Sequence, residues 1–300
     1  MLKQISLLIL CAAAIVWFAT PVQACTSAVV SGKVTPDGRP LLWKNRDTDF
    51  MQNHIDYVKG EKYNFIAVVN SANAYLKEAW MGTNSSGFAL MNTQSYNLVD
   101  VKGDEERGAA NGRVIYRALE VCATVEDFCH FLDTISKPSD IEANFGVIDA
   151  QGGAAMFEVD YHKYVMYDAN NPKDAPYGYI ARTNFSFAGK VNEGAGYVRY
   201  MEADQVLMKA SATGSITPQF IFNDLSRSFR NRMLDIDLRS GAYNRPQASG
   251  WFVDQDFIPR SSTSCSVVVQ GVKPGEKAEL TTMWTLLGYP PTGIAIPLWV

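Results

Sequence analysis

Alternating apolar and polar positions, separated by turn residues, predict strands near 25–31, 40–46, 63–70, 76–82 and 87–96. Thr35-Pro36-Asp37-Gly38 and Asn84-Ser85-Ser86-Gly87 have the composition of connecting turns, so the N-terminal third reads as a β-meander. The period then changes. Val114, Ala118, Leu119 and Cys122 fall on one helical face, and Thr124-Val125-Glu126-Asp127 resembles an N-cap opening a second helix through Phe128, Phe131, Leu132 and Ile135. Strand patterns return near 144–149, 153–160, 163–169 and 179–185, helical ones near 196–209 and 217–227, and strands near 263–270 and 280–287. This succession of strand and helix blocks predicts an α+β architecture, with helices packed on layered sheets.

The two ends of the chain carry different apolar signals. Lys3 precedes an uncharged apolar run from Ile5 to Phe18, and Pro21-Val22-Gln23-Ala24 ends on a small residue with Val three back. That is the layout of a secretory signal peptide cut after Ala24 by signal peptidase, and the run is too short for a membrane span. The expected organisation is residues 1–24 as signal peptide and 25–300 as one domain, exported to the periplasm or the medium. Leu280 to Val300 also lacks charge, but Gly288, Pro290, Pro291, Gly293 and Pro297 break it into two strands joined by a Pro-Pro turn. Gly103 to Gly112 reads as an exposed connection, and 239–262 is the longest stretch without a period.

Composition narrows the chemistry. The chain has 300 residues, 47% of them hydrophobic, enough for a sizeable core. A formal charge of −4 offers no positive field for a phosphate backbone, so nucleic acid is not an expected partner. The five cysteines (Cys11, Cys25, Cys122, Cys129 and Cys265) form no CxxC pair and no cluster with His54, His130 or His162, so neither a zinc site nor a local cysteine-protease signature is present. His130 sits among core residues of a helix and reads as structural. Gly194-Ala195-Gly196 is too little for a dinucleotide loop, and GxxxxGK[ST] does not occur, so no cofactor is expected. Arg227, Arg230 and Arg232 are offset by Asp224, Asp235 and Asp237, as on a solvated surface. In an oxidising compartment Cys122 and Cys129 could pair if the helix breaks between them.

The cut after Ala24 would make Cys25 the first residue of the mature chain, leading directly into the strand-like Thr26-Ser27-Ala28-Val29-Val30. A thiol with an ordinary pKa of about 8.5 and an α-amine at about 7.7–8.0 would then share one residue, and the amine can take the thiol proton without a histidine. Two other readings of Cys25 stand beside this one: a lipidated cysteine anchoring a non-catalytic surface module, and a small residue near a ragged terminus. Lys44-Asn45-Arg46-Asp47 ends the second strand of a hairpin that returns beside the N-terminus, where a carboxylate can hold the amine. Asn92 and Asn184 lie in or near strands, where asparagine is disfavoured, and an amide there can donate to an oxyanion or serve as an ordinary core or turn partner. Trp80, Tyr96, Phe185, Trp251 and Phe252 could line an apolar acyl pocket or fill the core.

Cys25-Thr26, Asn45-Arg46-Asp47, the run Gly82-Thr83-Asn84-Ser85-Ser86-Gly87-Phe88-Ala89-Leu90-Met91-Asn92 and Arg182-Thr183-Asn184-Phe185 together resemble the linear amide C–N hydrolases. That group of N-terminal nucleophile (Ntn) hydrolases includes choloylglycine hydrolases, penicillin V acylases and acyl-coenzyme A:6-aminopenicillanic acid acyltransferases. The resemblance implies a four-layer αββα sandwich and hydrolysis of a small-molecule N-acyl amide through a thioester. It implies Cys25 as nucleophile, Asp47 as the carboxylate orienting the α-amine, and Asn92 and Asn184 as oxyanion and amine-binding amides. The group's arginine three residues before the aspartate is replaced by Lys44, with Arg46 close by, and its late-strand arginine is missing, with Arg260 the nearest substitute. These departures argue against a bile-salt hydrolase. Homo-oligomers are compatible with this reading.

Overall fold

The computed structural model describes residues 24–99, 108–241 and 254–300. Strand β1 (Thr26–Val30) returns through a 3-10 turn into β2 (Leu41–Asp47), and the two pair antiparallel with Thr26 opposite Asn45. A meander of β3 (Asn53–Val58), β4 (Phe65–Asn70), β5 (Met81–Asn84) and β6 (Ala89–Gln94) follows. Helices α1 (Asn111–Val121) and α2 (Val125–Thr134) come next, then β7 (Ala143–Ile148), β8 (Ala154–Val159), β9 (Tyr164–Asp168) and β10 (Tyr179–Arg182). The rest comprises α3 (Tyr197–Ala212), the short α4 (Pro218–Phe220) with a π turn, a two-residue ribbon of β11 (Arg230–Asn231) and β12 (Ile236–Asp237), then β13 (Thr263–Gln270), β14 (Thr282–Leu287) and β15 (Ile296–Leu298).

Apart from the β11–β12 ribbon, the described strands form two antiparallel sheets, one in the order β10-β1-β2-β13-β14-β15 and the other running β3 to β9 in sequence. Three apolar cores separate four layers. Phe128 of α2 packs edge-on to Phe157 at 5.1 Å and to Phe145 at 5.9 Å, joining the α1/α2 layer to the seven-stranded sheet. Val29, Leu42 and Val267 meet Met91 and Met156 between the sheets. Trp43, Leu41 and Val268 face Leu207, Ile221 and Leu225 of the second helical layer. The alternation of β2 thus sends Leu42, Lys44 and Arg46 toward the opposite sheet and Leu41, Trp43, Asn45 and Asp47 toward the helices. The architecture is the αββα sandwich.

Several elements form as their residues dictate. Thr124 caps α2 in a closed capping box, its Oγ1 accepting from the Asp127 N–H at 3.0 Å while Asp127 Oδ2 accepts from the Thr124 N–H at 3.1 Å. The tail folds as two strands around Pro290–Thr292, although β15 is an edge strand with Ile296 exposed rather than buried. Other expectations are corrected. The N-terminal third is divided between the sheets, because β2 pairs with the distant β13 and not with β3. Residues 71–76 make 3-10 turns ending at a left-handed Lys77 (φ 54°), and strand pairing begins only at Met81, opposite Val68. Cys122 and Cys129 are both free thiols: Cys122 is buried at the α1 C-terminus, and Cys129 Sγ faces Met166 Sδ at 3.9 Å. His130 is exposed rather than packed. The surface expected around Arg227, Arg230 and Arg232 is only partly solvated, since Arg232 turns inward onto buried Glu202 at 2.6 Å. The predicted leader up to Gln23, residues 103–107, and Trp251 and Phe252 lie outside the described residues, while the described part of the expected Gly103–Gly112 connection is not exposed: Gly108 is buried, and Asn111 and Gly112 are buried in the first turn of α1.

Candidate active site

Cys25 stands directly ahead of β1, with its side chain on the face that looks into the sandwich, as the alternation to Ser27 and Val29 requires. It is 7% exposed, and Ala24 before it is 1% exposed. The Cys25 backbone nitrogen donates to Asn184 Oδ1 at 3.0 Å, and Sγ lies 3.9 Å from the Asp47 carbonyl oxygen. Asn184 follows β10 beyond Arg182 and Thr183, where its backbone bridges to Ala195, and its Nδ2 donates to the Gln94 carbonyl at 2.8 Å. One asparagine therefore ties the start of β1 to the end of β6.

The Asp47 carboxylate is held by other groups. Its Oδ2 accepts from Arg260 Nη2 at 2.6 Å and Nε at 3.0 Å, and its Oδ1 accepts from Thr263 Oγ1 at 2.6 Å. An irregularity in β13 between Thr263 and Cys265 brings Thr263 opposite Asp47 while Cys265 stays opposite Arg46. Arg260 Nη2 also donates to the Ala24 carbonyl at 3.1 Å, so one guanidinium spans Asp47 and the peptide group that precedes Cys25. Burial raises the Asp47 carboxyl above the ordinary aspartate value, and Arg260, Arg199 and the Thr263 hydroxyl pull it back. Arg260 thus stands at Asp47 although it belongs to the turn ahead of β13 and not to a strand.

Asn92, on β6 in the opposite sheet, receives a hydrogen bond on its Oδ1 from Lys44 Nζ at 2.9 Å, and the same ammonium donates to the Trp80 carbonyl at 3.0 Å. With its oxygen occupied, the Asn92 amide is oriented with Nδ2 as its remaining donor. Burial drives the Lys44 ammonium down to about 8, against the opposing pull of the Cys25 and Cys265 thiols. Arg46 lies over the Trp80 ring, 4.6 Å from its centroid, and donates to Asn70 Oδ1 at 2.7 Å and to Asn53. Cys265 shares this face of the sheet, its thiol pushed up by burial and drawn down by Arg46 and Lys44. The earlier part of the Asn92 motif is scaffolding. Asn84 Nδ2 donates to the carbonyls of Leu119 and Cys122, its Oδ1 accepts from the N–H groups of Ser86 and Phe88, and Gly87 supplies the positive φ of 79° that the turn needs.

Arg199 and Glu158 escaped the sequence reading. Arg199, in the first turn of α3 and 1% exposed, donates from Nη1 to the Cys25 carbonyl at 2.6 Å and to Thr26 Oγ1 at 2.8 Å, and from Nη2 to Asn184 Oδ1 at 2.9 Å. Its one sequence signal was a cation in a helical first turn that lacks any acid. Glu158 and Arg182 form a buried pair at 2.6 Å, and the Glu158 carboxylate also accepts from the N–H groups of Phe187 and Ala188, fixing the segment after Asn184. Of the aromatic candidates, Phe185 is stacked on Tyr197 at 4.1 Å, Trp80 carries Arg46, and Tyr96 is half-buried. No cluster of three or more metal-ligating side chains occurs among the described residues.

An αββα sandwich with a cysteine at the open end of its β1–β2 hairpin, held by an amide just past the end of β10, is the arrangement that the resemblance to the Ntn hydrolases implied. The family described as acyl-coenzyme A:6-aminopenicillanic acid acyl-transferase matches residues 34–212, well over half of the chain, and the protein belongs to that family. The matched stretch contains Asp47, Asn92, Asn184 and Arg199 and begins after Cys25. Among solved structures, a mutant of the conjugated bile acid hydrolase from Clostridium perfringens is 15% identical, with 91% of this chain and 92% of that one aligned at a TM-score of 0.49. Penicillin V acylase from Agrobacterium tumefaciens is also 15% identical, over 92% of this chain and 85% of that one, with a TM-score of 0.47. The Caenorhabditis elegans ortholog of N-acylethanolamine-hydrolyzing acid amidase is 15% identical, over 67% and 89%, with a TM-score of 0.45. No curated protein matches this chain in sequence.

Proposed function

We propose that the protein is exported, loses residues 1–24, and hydrolyses the amide bond of a small N-acyl substrate with Cys25 as nucleophile. The observation that carries this reading is the setting of Cys25: its nitrogen is fixed by Asn184 Oδ1 and its carbonyl by Arg199, at the mouth of the hairpin and beside Asp47. Cutting after Ala24 turns that nitrogen into an amine, removes the Ala24 carbonyl from Arg260, and leaves Asn184 to orient the new base.

In the first half-reaction the amine takes the Sγ proton, and the thiolate attacks the substrate carbonyl carbon while the C=O electron pair moves onto oxygen. Asn92 Nδ2, held in orientation by Lys44, donates to that oxyanion. Collapse of the intermediate breaks the C–N bond, and the leaving nitrogen takes the proton from the α-ammonium. In the second, water gives a proton to the amine and attacks the thioester, releasing the acid and restoring the thiol. Asp47, clamped by Arg260 and Thr263, supplies the fixed negative charge beside the amine. The alternative of a lipidated Cys25 is disfavoured by its burial and by β1 starting at the next residue, which leave no tether between lipid and fold.

The test is turnover of a panel of N-acyl amino acids, penicillin V, bile-acid conjugates and short peptides by mature wild type and Cys25→Ala. Wild-type hydrolysis of one class with complete loss in the variant is expected, and unchanged turnover in the variant sinks the proposal.

A further inference from the structure

Arg199 is placed where its charge is hard to justify by packing alone. It lies in the first turn of α3, at the positive end of the helix dipole, with no acidic residue in that turn and no side-chain cap from Gly196. It is 1% exposed, its Nε has no hydrogen-bond partner among the described residues, and burial together with the Arg260 cation pushes its guanidinium down to about 10. Its three acceptors, the Cys25 carbonyl, Thr26 Oγ1 and Asn184 Oδ1, are all uncharged and would be served by neutral donors. The local backbone is shaped around it: Gly196 has φ +87°, and a Cβ there would collide with Arg199 Nη2.

We propose that Arg199 is a positioning residue that keeps the α-amine of mature Cys25 in its neutral, proton-accepting form, through the shared acceptor Asn184 and through its own positive charge. This inference rests on the reading of Cys25 as an N-terminal nucleophile. Nη2 and the Cys25 nitrogen share Asn184 Oδ1 at 2.9 and 3.0 Å, which places them within about 6 Å of each other. At an effective dielectric of about 20, a unit charge at that range shifts a titrating amine by about two pKa units toward the neutral form.

The other groups around the amine do not cancel this. On β2 stand Lys44, Arg46 and Asp47; β13 carries the Cys265 thiol; Arg260 lies in the turn before it, and Asp256 acts on Arg199 from the same loop. Among these described groups the Asp47 carboxylate acts on both Arg199 and Arg260, and its oxygens are taken by Arg260 and Thr263. Asn184, from the end of β10, is neutral and offers the amine a carbonyl oxygen. The summed field favours the uncharged amine, and α3 contributes both its dipole and its cation.

The experiment is the pH dependence of kcat/KM for processed wild type, Arg199→Lys and Arg199→Gln, using an N-acyl p-nitroanilide that the wild type turns over. The wild-type acid limb is expected below the ordinary α-amine range of about 7.7–8.0. Arg199→Gln should move that limb up by about one unit or more, whereas Arg199→Lys should keep it within about 0.3 unit while lowering kcat through lost two-point geometry. Coincident limbs for wild type and Arg199→Gln, or equal displacement in both variants, would overturn the inference. If Arg199→Gln does not fold, a wild-type limb at or above the free-amine range overturns it, and one clearly below supports it. Failure of the underlying reading shows separately, as activity in Cys25→Ala.

Discussion

Replacing Arg260 with Met should expose how much of the site depends on one guanidinium. Arg260 is 3% exposed and Asp47 2% exposed; their contact at 2.6 and 3.0 Å is supplemented by Arg260 donors to the Ala24 carbonyl and to Gln255. Truncation leaves a buried carboxylate with Thr263 as its remaining neutral donor, and breaking a buried pair from one side costs about 3–5 kcal/mol. Burial already holds the Asp47 carboxyl above its ordinary value, and Arg260 is the strongest influence acting against that. Without it the folded carboxyl climbs further and keeps a proton that the unfolded chain releases near pH 3.9. The loss should therefore be small near pH 4 and grow as pH rises to 7. Urea denaturation of wild type, Arg260→Met, Asp47→Asn and the double variant at both pH values measures it. A coupling of about 2 kcal/mol at pH 7 is expected, within the range for contacting buried groups. A single-variant cost under about 1 kcal/mol, or a cost unchanged between the two pH values, would refute the reasoning.

Asn92→Ala should lower kcat by about 100- to 1,000-fold, the effect of losing one oxyanion donor, with KM within about threefold; equal losses in Asn92→Ala and in a surface control would make Asn92 structural. Gly82→Ala should destabilise the fold by about 1–3 kcal/mol, because its Cβ would stand 2.5 Å from the Ile66 carbonyl oxygen and 2.7 Å from Leu119 Cδ1. A variant within about 0.5 kcal/mol of wild type in urea melts would contradict that packing. Thiol titration of the unreduced, denatured mature protein should find Cys122 and Cys129 both reactive.

What could be read from the sequence was local. The faces of α1 and α2 and the Thr124 cap follow from residues within a few positions of one another, and the hairpin bringing Asp47 back to Cys25 from two adjacent strands and their turn. Strand β3 was missed because its half-exposed Asn53–Val58 run lacks clear alternation. The division of strands between two sheets depends on β2 meeting β13 more than 200 residues away, and no periodicity encodes that. At the site, the group pattern singled out Cys25, Asp47, Asn92 and Asn184, and the structure brings Cys25, Asp47 and Asn184 into one hydrogen-bonded neighbourhood. Lys44 and Arg46 share the inward face of β2 but take different work, Lys44 at Asn92 and Arg46 at Trp80 and Asn70. Arg260 was named as the nearest substitute for a late-strand arginine, but its hold on Asp47 was not legible, and Arg199 was beyond pattern reading altogether, because each acts from a loop or helix remote in sequence on a strand it does not pair with.

The dependence of activity on a free Cys25 amine is the most direct test of the account. One assay compares three preparations: chain carrying Met before Cys25, the same chain cut to expose Cys25, and the cut chain acetylated on its α-amine with the thiol reversibly protected. An amide nitrogen has no usable basicity at neutral pH, so only the cut, unmodified form should turn over substrate, with the blocked and acetylated forms down by at least about 100-fold. Equal activity in the blocked and cut forms would contradict the N-terminal nucleophile and move attention to Cys265 and the histidines.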